Sequence, residues 1–216
     1  PFHYNNFKEL EDLIQQNHDI GIIKMEVQRN EPPRKDFLKK VRKLASDKGI
    51  ILIFDECTSG FRETFGGLHK KYGVEPDMAI FGKALGNGYA ITAIIGRREV
   101  MESAQSTFIS STFWTERIGP AAALKTLEVM DRVKSWEKIT SIGKNIGSRW
   151  KGLAKKHELE IVINGIPSMT GFILGYEDWI KYKTYITQEM LKNNILATNL
   201  FYACTEHTSQ HIDIYS

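Results

Sequence analysis

The sequence predicts an α/β fold, and three observations lead to this prediction. The short all-apolar run at residues 50–54 is typical of a strand buried in a parallel sheet. A strand-like apolar run lies earlier, at residues 20–27. Between the two runs, apolar residues recur at helical spacing over residues 37–45, which gives the strand, helix, strand order of a βαβ unit.

Further elements follow the same kind of pattern along the chain. We expect an opening helix at residues 7–14, and a loop at residues 82–89 that is too rich in Gly to be a regular element. The other expected elements are strands at 78–81, 91–95, 160–163 and 169–174, helices at 118–133, 136–157 and 178–193, an extended segment at 195–204 and a helix from Thr208. The junction between the two long central helices predicts a domain boundary, with a large domain at 1–135 and a small one at 136–216.

Composition excludes several classes of protein. With 42% hydrophobic and 25% charged residues, the 216-residue chain has the composition of a globular protein, and no apolar run approaches the roughly 20 residues of a membrane span. The net charge of +3 comes from scattered Lys and Arg, which favours solvated helix faces over a nucleic-acid site. The two cysteines, Cys57 and Cys204, form no metal-type spacing. We therefore expect no metal, no nucleic acid, no membrane and a reducing cytoplasmic location.

The first residues do not have the pattern of a natural protein start. The run Pro1-Phe2-His3-Tyr4 has no initiator Met, and neither a basic nor an apolar leader segment follows it. We therefore expect that the chain begins in the middle of a longer protein.

Two acids, Asp55 and Glu56, directly follow the predicted strand at residues 50–54. Open α/β sheets bind their ligands at the carboxyl ends of strands. Because side chains alternate along a strand, Asp55 and Cys57 point to one side and Glu56 to the other, so only one acid faces a given pocket. The alternative, a pair of solvated turn carboxylates, has about equal weight on this segment alone.

A single lysine, Lys83, lies just past the next predicted strand, in the run Gly82-Lys83-Ala84-Leu85-Gly86. A carboxylate and an amine at neighbouring strand ends are the groups that pyridoxal chemistry requires. From the residues alone, a surface loop lysine is the favoured interpretation, because lysines are common and the motif is short.

Together, the run from Phe54-Asp55-Glu56 to Gly60-Phe61-Arg62 and the run from Pro76-Asp77 to Gly86-Asn87-Gly88 resemble the signature of class III aminotransferases. The branch that contains glutamate-1-semialdehyde aminomutase is the most similar. The resemblance extends in order and spacing over nearly the whole chain. It implies fold type I, with part of the large mixed-sheet domain and part of the small C-terminal α+β domain.

The resemblance also implies a set of site residues. Lys83 takes the position of the Schiff-base lysine for pyridoxal 5′-phosphate, and Asp55 that of the partner of the pyridine nitrogen. Cys57 takes the position that packs on the ring face, and Thr58 the position that contacts the ring 3-hydroxyl in some relatives. Thr112 takes the position that binds the cofactor phosphate of a partner subunit, although a plain helix cap is the alternative for this residue.

The implied activity is the transfer of an amino group from a small-molecule donor to a carbonyl acceptor in a homodimer. Two alternatives remain: an aminomutase, and an inactive fragment that serves as a structural or binding module. One departure from the family bears on this choice: an acidic residue of the aminomutases is absent near residues 199–201, which favours transamination. In a second departure, Phe113-Trp114 replaces small residues after Thr112, and these aromatics either line a substrate pocket or pack an interface. In the family, the phosphate loop and the ring-stacking aromatic lie upstream of Pro1.

Overall fold

A computed structural model describes residues 1–215 of the chain. The chain divides into two compact units, Pro1–Val133 and Lys134–Ser216. All of the predicted site residues lie in the first unit.

The first unit is built on a four-stranded sheet, whose strands lie in the order β1 (Ile22–Glu26), β2 (Ile51–Asp55), β3 (Met78–Phe81) and β4 (Ala93–Gly96). The strands β1, β2 and β3 are parallel, and β4 is antiparallel to β3. The helices of this unit are α1 to α5, of which α3 and α4 are single turns. The bounds are α1 Phe7–Gln16, β1 Ile22–Glu26, α2 Phe37–Asp47, β2 Ile51–Asp55, α3 His69–Tyr72, β3 Met78–Phe81, β4 Ala93–Gly96, α4 Arg98–Met101 and α5 Ile118–Val133.

The α/β prediction is confirmed, with the βαβ unit formed by β1, α2 and β2. Helix α2 forms because apolar residues at helical spacing, including Phe37, Val41 and Ala45, provide one buried face, which packs on β2. Two details differ from the prediction. The loop at residues 82–89 contains a 3-10 turn, Lys83–Leu85, and the helices α3 and α4 are too short to show a helical period in the sequence.

The sheet is buried on one face only, which differs from the expectation for all-apolar strands. Met25 and Phe54 lie side by side on the buried face. On the opposite face Ile22 is 59% exposed, and Asp55 lies on the same face because it is in register with Glu26. Within the first unit, no described element covers this second face as α2 covers the first. The polar end of β2 therefore lies on the open face.

A buried carboxylate ties β2, β3, β4 and α2 together. Asp77 accepts hydrogen bonds from the Leu52 backbone N–H at 2.8 Å, from Arg42 at 2.7 Å and from Arg97 at 2.9 Å. Burial alone would raise the pKa of Asp77, but the Leu52 N–H and the two guanidinium groups lower it below its usual range. Asp77 is therefore ionised, and it fixes the start of β3 against β2.

The second unit is a three-stranded antiparallel sheet packed on a long helix, α6. Ile142, Ile146 and Trp150 of α6 pack against Phe172 and Leu174 of the sheet. The elements are α6 Ser135–Lys156, β5 Ile161–Asn164, β6 Met169–Leu174, α7 Trp179–Lys192, β7 Leu200–Tyr202 and α8 Ser209–Tyr215. Among residues 1–215, no helix has the length and apolar character needed to cross a membrane.

The Asp77 contacts predict a pH-dependent contribution to stability. Asp77→Asn should lower the free energy of unfolding at pH 7 by about 2 kcal/mol, because charged hydrogen bonds to both arginines are lost. Since the folded pKa is depressed, the contribution is present above about pH 4 and disappears as the pH falls through the folded pKa. Urea unfolding of both proteins at pH 7 and pH 3 measures the difference.

Asp47→Asn is the matched control, since Asp47 pairs with Lys43 on the exposed side of α2. Its effect should stay below about 0.5 kcal/mol. An Asp77→Asn effect as small as this, or one that persists unchanged at pH 3, would contradict the role given to Asp77.

Candidate active site

Two neighbouring parallel strands bring the predicted amine and carboxylate to one edge of the sheet. Asp55 is the last residue of β2, and it pairs with Ile80 of β3. Lys83 begins the 3-10 turn that follows β3. Because both strands run in the same direction, their carboxyl ends meet at the same edge.

Lys83 is held in an unusual backbone conformation with its amine oriented by a hydroxyl. Its φ of 45° lies in the left-handed region, which costs a residue other than glycine about 1 to 3 kcal/mol. The exposed Nζ donates a 2.6 Å hydrogen bond to the Thr58 Oγ1. Strain of this kind is often found at functional sites, and here it directs the lysine toward the segment that follows Asp55.

The Asp55 carboxylate has a partner for each oxygen. Oδ2 lies 3.0 Å from the Lys24 Nζ of β1, and Oδ1 accepts a hydrogen bond from the Cys57 backbone N–H at 3.2 Å. Burial would raise the pKa of Asp55, but the hydrogen bonds and the positive charge of Lys24 lower it below its usual value. Asp55 is therefore a negative charge at neutral pH.

Cys57 lies between the carboxylate and the lysine loop. A Cβ added to Gly82 would meet the Cys57 Sγ at 3.4 Å, which places the thiol against the backbone that leads into Lys83. Burial, and then the charge of Asp55, raise the pKa of Cys57. The thiol is therefore neutral, which suits a packing role better than a nucleophilic one.

The second acid of the predicted pair is structural. Glu56 is fully buried and accepts four hydrogen bonds: from the Ser59 Oγ (2.6 Å), the Leu68 N–H (2.8 Å), the His69 N–H (3.0 Å) and the His69 Nδ1 (2.8 Å). Burial would raise the pKa of Glu56, but the hydrogen bonds from His69, Ser59 and Leu68 lower it. The interpretation of both acids as solvated turn carboxylates is therefore wrong for Glu56. Through its hydrogen bonds to Leu68 and His69, Glu56 holds together the two ends of the segment that carries Cys57 and Thr58.

Thr112 lies apart from these groups, in an exposed loop that precedes α5. The helix cap alternative for Thr112 is wrong. The Glu116 carboxylate accepts hydrogen bonds from the N–H groups of Ile118 and Gly119, and it thereby occupies the start of α5 itself. Within residues 1–215, no described hydrogen bond joins Thr112 to Asp55 or Lys83.

Sequence reasoning missed Lys24 and the roles of Glu56 and His69. A signal for Lys24 was present, because it is the one charged residue inside the apolar run Ile22-Ile23-Lys24-Met25. No comparable signal identifies His69, since its contact with Glu56 depends on the path of the intervening segment.

Comparison with known proteins identifies the family. The family model described as Aminotransferase class-III matches residues 8–199. This chain belongs to the class-III aminotransferase family. The 3-aminobutyryl-CoA aminotransferase of Cloacimonas acidaminovorans is 33% identical, over 98% of this chain and 54% of its own length. The glutamate-1-semialdehyde 2,1-aminomutase of Natranaerobius thermophilus is 32% identical, over 78% of this chain and 41% of its own length.

Solved structures show the same fold. The FumI protein of Sphingopyxis sp. MTA144 has a TM-score of 0.91 at 23% identity, covering 99% of this chain and 54% of that one. An omega-transaminase from Sphaerobacter thermophilus has a TM-score of 0.89 at 19% identity, covering 98% and 54%. The predicted fold type I is thus confirmed. This class-III chain spans about half the length of the curated relatives it matches.

The contacts of Glu56 predict that its charge is needed for stability. In Glu56→Gln, the amide N–H₂ would face a backbone N–H that can only donate, that of Leu68 or that of His69, so we expect the free energy of unfolding to fall by about 3 kcal/mol. Urea unfolding at pH 7 measures the change. Glu75→Gln is the matched control, because Glu75 contacts the other nitrogen of His69 but is 80% exposed. Equal and small effects from the two variants would refute the structural role of Glu56.

Proposed function

We propose that the protein to which this chain belongs is a pyridoxal-phosphate-dependent aminotransferase that uses Lys83 as its cofactor-binding lysine. The observation that carries this proposal is the placement of the Lys83 amine and the ionised Asp55 carboxylate at the ends of adjacent parallel strands. Membership of the class-III family supports it.

The groups at this edge fit pyridoxal 5′-phosphate. Lys83 provides an exposed primary amine for the aldehyde, and Asp55 provides a negative charge for the ring nitrogen. Thr58 provides a hydroxyl and Cys57 a neutral, half-buried surface between them. When bound, this cofactor supplies an electron sink for the substrate carbon that loses its proton.

Each of these side chains has a role that follows from its contacts. Lys83, once free, moves the proton at the reacting carbon as general base and then as general acid. Thr58 holds the lysine Nζ and limits the positions that it samples. Asp55 stays ionised, and its charge stabilises a positive charge on the ring nitrogen. Cys57 fills space without competing as a nucleophile.

An amino donor and a carbonyl acceptor are the substrates that we propose. A relative at 33% identity is named as an aminotransferase for 3-aminobutyryl-CoA, which supports ordinary transamination. The aminomutase is a second candidate, because a relative at 32% identity bears that name. Incubation of the full-length protein with ¹⁵N-labelled donor and unlabelled acceptor separates the two. Appearance of ¹⁵N in the amine formed from the acceptor supports transamination. Retention of the amino group within one molecule supports the mutase.

We further propose a homodimer in the cytoplasm, with Thr112 at the phosphate of the partner subunit. Both cysteines are free thiols, which suits a reducing compartment. The loop that carries Thr112 also exposes large apolar side chains, with Phe108 at 95%, Phe113 at 77% and Trp114 at 68%. Apolar exposure of this extent is typical of an interaction surface.

The assignment of Lys83 is tested by trapping. Full-length protein is incubated with pyridoxal 5′-phosphate and reduced with borohydride. The reduced cofactor should then be attached to the peptide that contains Lys83. Lys83→Ala should carry none, and its turnover should fall about 10⁴-fold because the proton-transfer group is missing. Lys43→Ala, on the exposed side of α2, is the control and should behave like the unsubstituted protein. Covalent trapping that persists in Lys83→Ala would exclude this assignment.

The shared site is tested with hybrid dimers. A Lys83→Ala subunit and a Thr112→Asp subunit should each be inactive as homodimers, the latter because its added charge repels phosphate. Their hybrid contains one site free of both changes, so purified hybrids should show about half of the activity of the unsubstituted dimer. If Thr112 acts within its own subunit, confirmed hybrids will show no recovered activity.

A further inference from the structure

Lys24 is a charged residue in the middle of strand β1, and it contacts the carboxylate that we propose for the ring nitrogen. The register of β1 and β2 pairs Glu26 with Asp55, so Lys24 and Asp55 are on the same face of the sheet. The Lys24 Nζ lies 3.0 Å from the Asp55 Oδ2. No role for this lysine follows from the functions described above.

Stability does not explain the pair. The Lys24 side chain is 55% exposed and that of Asp55 26% exposed, and ion pairs of this kind contribute little to folding. The lysine is therefore better explained by its effect on Asp55.

Lys24 and a protonated ring nitrogen would be two cations at one carboxylate. One oxygen of Asp55 already accepts from the Cys57 N–H, and the other faces Lys24. Two positive charges within a few ångströms disfavour each other, so the second is bound less tightly than it would be alone. Lys24 must shift or share Asp55 when a ring nitrogen arrives.

We propose that Lys24 competes with the ring nitrogen of the cofactor for Asp55 and thereby weakens the hold of this site on that nitrogen. The proposal rests on the proposed function and assigns a positioning residue to the same site. Lys24 also has a second effect. When the ligand has no ring nitrogen, Lys24 alone balances the negative charge of Asp55. Removal of the lysine then has opposite consequences for ligands with and without that nitrogen.

The test uses two ligands that form no covalent bond with Lys83. Pyridoxamine 5′-phosphate has the ring nitrogen, and its 1-deaza analogue has carbon in that place. Binding to cofactor-free full-length protein is measured by calorimetry for the unsubstituted protein, Lys24→Met and Lys24→Gln. We expect both variants to bind pyridoxamine 5′-phosphate about tenfold more tightly, since one cation is gone, and to bind the deaza analogue more weakly, since Asp55 is left unpaired against a C–H.

The ratio of the two affinities separates this role from a structural one. A change in folding would alter both affinities by the same factor, and such a result, or no change in either, would overturn the proposal. Lys43→Met is the control, and its ratio should equal that of the unsubstituted protein. If the unsubstituted protein binds neither ligand, the proposed function itself fails. If it binds both and Lys24→Met leaves the ratio unchanged, only the role of Lys24 fails.

Discussion

Parallel pairing of β2 with β3 is the constraint on which the candidate site depends. It brings the end of one strand, Asp55, beside Ile80 of the next, and Lys83 follows where that second strand ends. An antiparallel pair would send the two ends to opposite edges of the sheet. The buried Asp77 maintains this pairing, because it holds the start of β3 to the Leu52 N–H of β2.

Around that edge, the buried carboxylate of Glu56 fixes the backbone, and the groups that we propose for the chemistry are at least partly exposed. Glu56 is buried and fully hydrogen-bonded, so the segment after β2 has little freedom to move. Its neighbour Asp55 keeps part of its surface accessible. Two adjacent acids of similar intrinsic pKa thus have different roles, since one is satisfied by its own chain and the other is directed to the open face of the sheet.

Two lysines contribute positive charge to this edge of the sheet. Lys83 is oriented by the Thr58 hydroxyl, and Lys24 is oriented by Asp55 itself. This edge of the sheet therefore holds one amine that donates to a hydroxyl and a second amine that is paired with a carboxylate. Because Cys57 stays neutral, the carboxylate and the amines are the groups that set the electrostatics of this edge.

The sequence by itself determined the α/β fold, most of its strands and helices, and the motifs around Asp55 and Lys83, because these features depend on local periodicity and on short runs of residues. Only the tertiary structure decided the rest. The ion pair of Lys24 with Asp55 depends on the register of two strands, and the hydrogen bonds of Glu56 depend on a loop that returns to Leu68 and His69. Contacts of this kind join residues far apart in sequence, and neither composition nor spacing specifies which of them will meet.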